Sequence, residues 1–276
     1  MNIQNPYRFG TVSSGYILDT YPSKGGYSLR KLITGATVSI RMRRDSDDAE
    51  TDVLLNDAGT MTLSSFITGG VTTVGTWAST DNCYVTEWYD QVYGTFNATQ
   101  TTHSEQPQII AAGVLNLENS LAAIKFGNPT RLNLTAAISP NFSYFAVVKN
   151  TSYSIISYLF GYPSSGTATG GTNGTYSSPF TLYGGKQRRG ATVRPSGHKL
   201  FEWFNDAVYF DDSEDTPYDV SETLLESRFN TIGGRPDIGT LNFQGNCQEI
   251  IFYDTNENGG DRQPIHDDIS TFYGTT

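Results

Sequence analysis

Tyr84-Val-Thr-Glu-Trp-Tyr-Asp-Gln91 is the stretch on which the fold turns. It reads as a strand ending in two aromatic residues, Trp88 and Tyr89, large enough to fill the space between two sheets. Asp90 and Gln91 follow at the strand end, with the acceptors and donors to tie down the loop beyond. A Gly/Asn turn and a polar segment stopping at Pro107 complete a structural corner. Scaffolding is the preferred reading of this corner over catalysis.

Outward from the corner, other segments carry the same period. Val38-Ser-Ile-Arg-Met-Arg43 alternates apolar and polar residues, which predicts a strand with one buried face. Residues 122–126, 142–148, 155–162 and 247–253 read as further strands. The nearly all-apolar 142–148 run belongs in the middle of a sheet, and 247–253, rich in β-branched and aromatic residues, is the clearest strand. Tyr27-Ser-Leu-Arg-Lys-Leu32 reads as a short helix stopped by Gly35. Ile265, Ile269, Phe272 and Tyr273 follow i, i+4, i+7 and i+8, one face of a terminal helix that Gly274 ends. Residues 62–67 fit a helical turn or a strand equally, and residues 71–80 read as a Thr-rich loop or strand containing Trp77. Residues 163–178, dominated by Gly, Ser and Thr, read as a long mobile loop.

Composition agrees with an all-β chain. Of 276 residues, 28 are Gly, 17 Tyr and 15 Phe, and only 17% are charged, which suits many short strands better than long helices. The expected organisation is an N-terminal arm over residues 1–15 and one sandwich domain over 16–276, with the 163–178 loop as an insertion. A net charge of −10 argues against nucleic acid, whose phosphates require a basic face. No run reaches the roughly 20 apolar residues of a membrane span, so no membrane insertion is expected. The polar residues after Met1 do not resemble a signal peptide, so an extracellular role implies release by another route, such as lysis. Cys83 and Cys247 fit a disulfide or two buried thiols equally well. His103, His198 and His266 lack ligand spacing, so neither metal nor other cofactor is expected.

Two charged regions stand out. Arg41, Arg43 and Arg44 precede Asp45, Asp47, Asp48, Glu50 and Asp52. Such a cluster could grip a carboxylated sugar or a metal. The expectation is a solvated edge whose pairs are worth about 0–1 kcal/mol each. Further on, Lys186, Arg188, Arg189 and Arg194 lie near the aromatic run Phe201, Trp203, Phe204, Tyr209 and Phe210, and the acidic run 211–222 follows.

The strand Gly245-Asn-Cys-Gln-Glu-Ile-Ile-Phe-Tyr-Asp254, a polar turn and a helix ending Phe272-Tyr-Gly274 resemble the closing unit of concanavalin A-like (laminin-G-like) jelly rolls. Residues 27–32, 40–50, 86–91 and 97–100 resemble the catalytic domain of fungal-type α-L-arabinofuranosidase B and the bacteriophage virion proteins that carry it. The resemblance covers roughly residues 16–126 and 230–274. It implies an all-β, two-sheet jelly-roll sandwich with one or two short helices. It also implies a retaining mechanism with two carboxylates about 5–5.5 Å apart. The family's acid/base aspartate directly follows a diglycine, whereas here Arg235 and Pro236 intervene between Gly233-Gly234 and Asp237. The segment Phe180-Thr-Leu-Tyr-Gly184 lacks the nucleophilic glutamate, for which Glu202 is a loose substitute, and the family's adjacent cysteine pair is missing.

These departures point to a non-enzymatic virion component of capsid or tail, assembled with other virion proteins, as a homo-oligomer, and binding host surface glycans. Trp77, Tyr183, Trp203, Tyr209 and Arg235 are the glycan-binding candidates, although core packing is the commoner use of each aromatic. An arabinofuranosidase-like hydrolase using Asp237 and Glu202, and a purely structural lattice-cementing protein, are the alternatives.

Overall fold

The computed structural model describes residues 15–57, 59–138, 143–151, 157–161, 172–174, 179–183, 187–193, 197–204, 207–214, 229–234, 242–254 and 260–275. Two antiparallel sheets face each other. The first runs Glu50–Leu54, Val38–Arg44, Cys83–Trp88, Ala98–Thr99, Leu132–Ile138, Phe229–Ile232 and Phe160–Gly161. The second runs Gly25–Ser28, Gly245–Tyr253, Ser143–Asn150, Gly197–Trp203, Val208–Phe210 and Ser213–Glu214. Gln108–Ala111 and Ile124–Phe126 join the sheets along one side.

Strand alternation builds the core between them. Ile40, Met42, Val85, Trp88, Ala98, Leu132 and Ile232 point inward from the first sheet, and Tyr27, Tyr144, Ala146, Phe201, Trp203, Ile250 and Phe252 from the second. Aromatic edges and faces interlock there, with Tyr144 5.0 Å from Phe160 and Phe160 4.9 Å from Phe229. The intervening residues of the second sheet are apolar as well. Phe145, Val147, Leu200, Ile251 and Tyr253 pack with Ile265, Ile269 and Tyr273 of the helix α3, Arg262–Tyr273, and with Leu18 of the helix α1, Ile17–Thr20. Burial on both faces explains why residues 143–148 and 247–253 read as almost unbroken apolar runs.

The Trp88–Gln91 corner ties the sheets together. Trp88 is fully buried beside Tyr27, with ring centroids 5.7 Å apart. Asp90 accepts backbone N–H bonds from Gly26 at 3.0 Å, Val92 at 3.1 Å and Tyr93 at 3.3 Å. Gln91 accepts from Leu32 N–H and donates to the carbonyls of Ser28 and Arg30. Asp90→Ala leaves buried N–H groups unpaired and is expected to cost about 2–3 kcal/mol. Asp90→Asn keeps an acceptor and should recover most of that loss, read as the urea midpoint.

Several sequence expectations are corrected. The 27–32 segment is not a helix. Gly25–Ser28 is a strand, and its continuation keeps period two: Tyr27 and Leu29 enter the core while Ser28 and Arg30 turn to Glu249. The Gln91 amide, 59–63 residues away, takes the backbone groups a helix would have used. Residues 74–78 form the helix α2, Val74–Ala78, because Thr73 Oγ1 caps Thr76 N–H; the chain thus has three short α-helices among the described residues rather than one or two. Inside the expected 163–178 loop, Thr172–Gly174 is a strand paired with Ser157–Tyr158 and Pro179–Tyr183. The expected arm lies outside the described residues except for Gly15. The α3 helix and its left-handed Gly274 cap match the sequence reading. Cys83 and Cys247 are both free and buried; burial pushes the Cys83 thiol up to about 12 and raises that of Cys247 further.

Candidate functional site

Among the described residues, helices cover the outer face of the second sheet but not that of the first. That open face carries a polar row in register across five strands, Asp52, Arg41, Glu87, Thr99 and Asn133; Thr231 continues the register on a sixth strand but is fully buried, its hydroxyl donating to the carbonyls of Gly161 and Gly234. Their strand neighbours Val53, Ile40, Trp88, Ala98, Leu132 and Ile232 all point into the core. Side chains alternate across a strand, so burying one set aims the other outward. Tyr89 and Asn97, two positions from Glu87 and Thr99, share the same face.

The row is wired together. Arg41 donates to both carboxylate oxygens of Asp52, Nε at 2.7 Å and Nη2 at 3.0 Å, a fork that fixes the guanidinium plane. Tyr89 donates its hydroxyl to Asp52 at 2.8 Å, and Asn97 Nδ2 donates to Glu87 at 2.7 Å. Burial works against charge on Asp52, but the bonds from Arg41 and Tyr89 outweigh it and hold the carboxyl below its ordinary range. Partial burial and then Asp52 push the Tyr89 hydroxyl well above its usual value, so it remains a donor at neutral pH. The side chains of Arg41 and Asp52 are 40% and 20% exposed, open enough to meet a ligand while already oriented.

This arrangement offers fixed donors and acceptors beside an aromatic ring, the equipment for holding a polyhydroxylated ligand. Asp52 and Glu87 flank Arg41 on alternate strands, which puts their backbones about 10 Å apart with the guanidinium between them.

The residues singled out from sequence fall elsewhere. Glu202 is fully buried, accepting from Arg262 Nε at 2.8 Å and lying 2.6 Å from His266 Nδ1. Ion pairing of this kind accounts for a buried carboxylate without a ligand. Trp203 is fully buried in the core and presents no face to a sugar, which corrects its reading as a platform. Trp77 is half-buried under the Arg44 guanidinium, 4.8 Å from its ring centre. Tyr209 stacks on Arg262 at 3.5 Å. The Tyr183 side chain, Arg235 and Asp237 lie outside the described residues. Gly233 and Gly234, just before them, are required by space: a side chain at Gly233 would sit 2.3 Å from Phe126, and one at Gly234 2.4 Å from Asn242.

The charged edge also differs from expectation. Arg43 is 3% exposed, donating to Gln106 at 2.9 Å and Asp48 at 2.6 Å, so it is part of the interior rather than a solvated edge. Arg44 does pair at the surface, with Asp47. Sequence reading placed Arg41 and Asp52 in this cluster and passed over Glu87 and Asn97; Tyr89, expected to fill the core beside Trp88, is instead half-buried on the outer face and donates to Asp52. The available signal was a polar or charged residue between apolar ones, as at Arg41 between Ile40 and Met42 and at Asn133 between Leu132 and Leu134. No group of His, Cys, Asp and Glu able to hold a metal occurs among the described residues, and no helix there is long and apolar enough to cross a membrane.

No family model matches the chain, and no curated protein matches it by sequence. Solved structures do match. A mutant of GH54 α-L-arabinofuranosidase soaked with 4-nitrophenyl α-L-arabinofuranoside superposes with a TM-score of 0.61 at 14% identity, covering 90% of this chain and 62% of that one. An arabinofuranosidase complexed with arabinofuranosyl-α-1,2-xylobiose gives 0.56 at 14% identity, with the same coverage. The chain thus spans about 62% of the length of these neighbours. At this identity the likeness concerns the fold, and the fold is a two-sheet jelly-roll sandwich similar to that of these carbohydrate-active enzymes.

Proposed function

We propose that this chain is a carbohydrate-binding sandwich that holds glycans on the open polar face of its first sheet without hydrolysing them. The observation that carries the proposal is the in-register row from Asp52 to Asn133, pre-oriented by the Arg41–Asp52 fork and flanked by Tyr89. Its fold likeness to sugar-processing enzymes supports the ligand class. The burial of Glu202 in an ion-paired cluster supports binding over hydrolysis. On the sequence resemblance, the finer proposal is a bacteriophage virion component that contacts host surface glycans, as an oligomer with other virion proteins.

Arg41→Ala tests the face. Its ion pair is partly exposed, so the fold should lose less than about 1 kcal/mol. Retention on immobilised host surface polysaccharide should fall about tenfold or more, since truncating a hot-spot arginine costs 2 kcal/mol or above. Unchanged retention contradicts the proposal.

A second reading, an α-L-arabinofuranosidase-like hydrolase using Asp237, is favoured by superposition over 90% of the chain. Turnover of an aryl arabinofuranoside that is lost in Asp237→Asn would establish it.

A further inference from the structure

Away from the polar face, a cleft of about 250 Å³ opens beside the C-terminal end of α3, lined by Tyr16, Arg30, Lys31, Asn56, Asp57, Gly59 and Phe272. We propose that this cleft is a binding site for a neutral hexopyranose unit, with Tyr16 and Phe272 as apolar walls and Arg30, Lys31 and Asp57 as its polar contacts. It stands apart from the sheet face and does not rest on the reading of that face.

The cleft is built rather than incidental. The Arg30 side chain is 9% exposed and clamped: Nε donates to Glu249 Oε2 at 2.8 Å, and Nη2 to Glu249 Oε1 at 3.0 Å and Asp268 at 2.6 Å. Nη1 has no partner among the described residues, so an immobilised guanidinium keeps two unspent donors at a cleft it lines. The guanidinium lies 4.5 Å over the Phe272 ring, and Lys31 Nζ lies 5.0 Å over the Tyr16 ring. Both rings line the cleft, where their apolar surface can meet the C–H groups of a sugar. Asp57 Oδ1 accepts from Lys31 at 2.8 Å and from Tyr16 Oη at 2.6 Å, which holds the carboxylate in place with Oδ2 available as an acceptor.

Charge decides between a neutral and an anionic ligand. Arg30 and Lys31 face three carboxylates, Glu249, Asp268 and Asp57, so the site carries no surplus positive charge, and the chain as a whole is at −10. An anion would have to displace a bonded carboxylate, whereas a hydroxyl can use the spare donors and acceptors as they stand. The volume falls below the roughly 300 Å³ at which sites for drug-sized ligands begin, which fits a single ring.

The test is an NMR titration of the full ¹⁵N-labelled chain with the methyl pyranosides of glucose, galactose, mannose and N-acetylglucosamine, and with glucuronate. The expected result is saturable shifts at Lys31, Asp57 and Gly59 with at least one neutral glycoside. That binding should weaken tenfold or more in Tyr16→Ala and stay unchanged in Arg41→Ala. Should Tyr16→Ala fail to fold, Asp57→Ala, at a 77% exposed side chain, carries the same comparison. Three results overturn the proposal: no shift at these residues with any neutral glycoside, tighter binding of glucuronate, or binding lost in Arg41→Ala but kept in Tyr16→Ala. The last places the sugar on the sheet face, so the two sites fail separately.

Discussion

Glu249→Ala is expected to destabilise the chain by about 3–5 kcal/mol, the usual cost of removing one partner of a buried ion pair. Glu249 is 1% exposed and accepts from Arg30, from Ser28 Oγ at 2.8 Å and from Tyr273 Oη at 3.1 Å. Its loss leaves the clamped guanidinium with Asp268 alone and removes the shared acceptor of two buried hydroxyls, which keep only their 3.2 Å contact with each other and the Arg30 N–H bond to Ser28 Oγ. These groups join the strand Gly25–Ser28, the strand Gly245–Tyr253 and α3, so the damage falls where three elements meet. At roughly 2–4 °C per kcal/mol for a chain of this size, the melting temperature should fall by about 10 °C. A drop under 2 °C would mean that packing alone holds α3.

Glu202→Ala should have an effect of the same order, about 3–5 kcal/mol, for the same reason. It removes the buried partner of Arg262, which keeps Asp212 at 2.9 Å, Gln263 at 3.3 Å and the Tyr209 ring, and takes away the Glu202 oxygen that faces His266 Nδ1. The cluster also titrates. Burial lowers the His266 pKa, but the bond and charge of Glu202, with help from Asp212, more than offset this, leaving it above its ordinary value of 6.5 despite nearby Arg262. A raised folded value means that protonated His266 contributes its full stabilisation below about pH 6.5 and loses it as pH rises through the folded pKa. Wild-type stability should therefore decline above neutrality. In His266→Gln that decline should flatten, as followed by urea midpoints from pH 5 to 9. An identical pH profile in both proteins would remove His266 as the cause.

What the sequence made legible follows from the range of the forces involved. Residues 143–148 and 247–253 were readable because both faces of their strands are covered, so nearly every position is apolar, Ser143, Gln248 and Glu249 excepted. The α3 helix was readable because its stripe and its Gly274 stop are local. The 27–32 segment misled because local helix propensity is weak beside the bonds from Gln91, and those come from a residue far along the chain. The candidate face was hidden for a related reason. Its row draws one residue from each of five strands, and only their register brings Asp52, Arg41, Glu87, Thr99 and Asn133 into line. Glu202 looked available as a carboxylate because its partners Arg262 and His266 are 60 and 64 positions away. Trp88 and Asp90 performed as their types suggest, one filling the core and the other holding backbone N–H groups.

The most direct test of non-hydrolytic binding on the first sheet is a ¹⁵N NMR titration of the full chain with an arabinofuranosyl-substituted xylobiose and with host surface oligosaccharides. The account predicts saturable shifts centred on Arg41, Glu87, Tyr89 and Asn97 with at least one ligand, and every oligosaccharide recovered intact after prolonged incubation. Release of free sugar, or shifts that bypass these four residues, would contradict it.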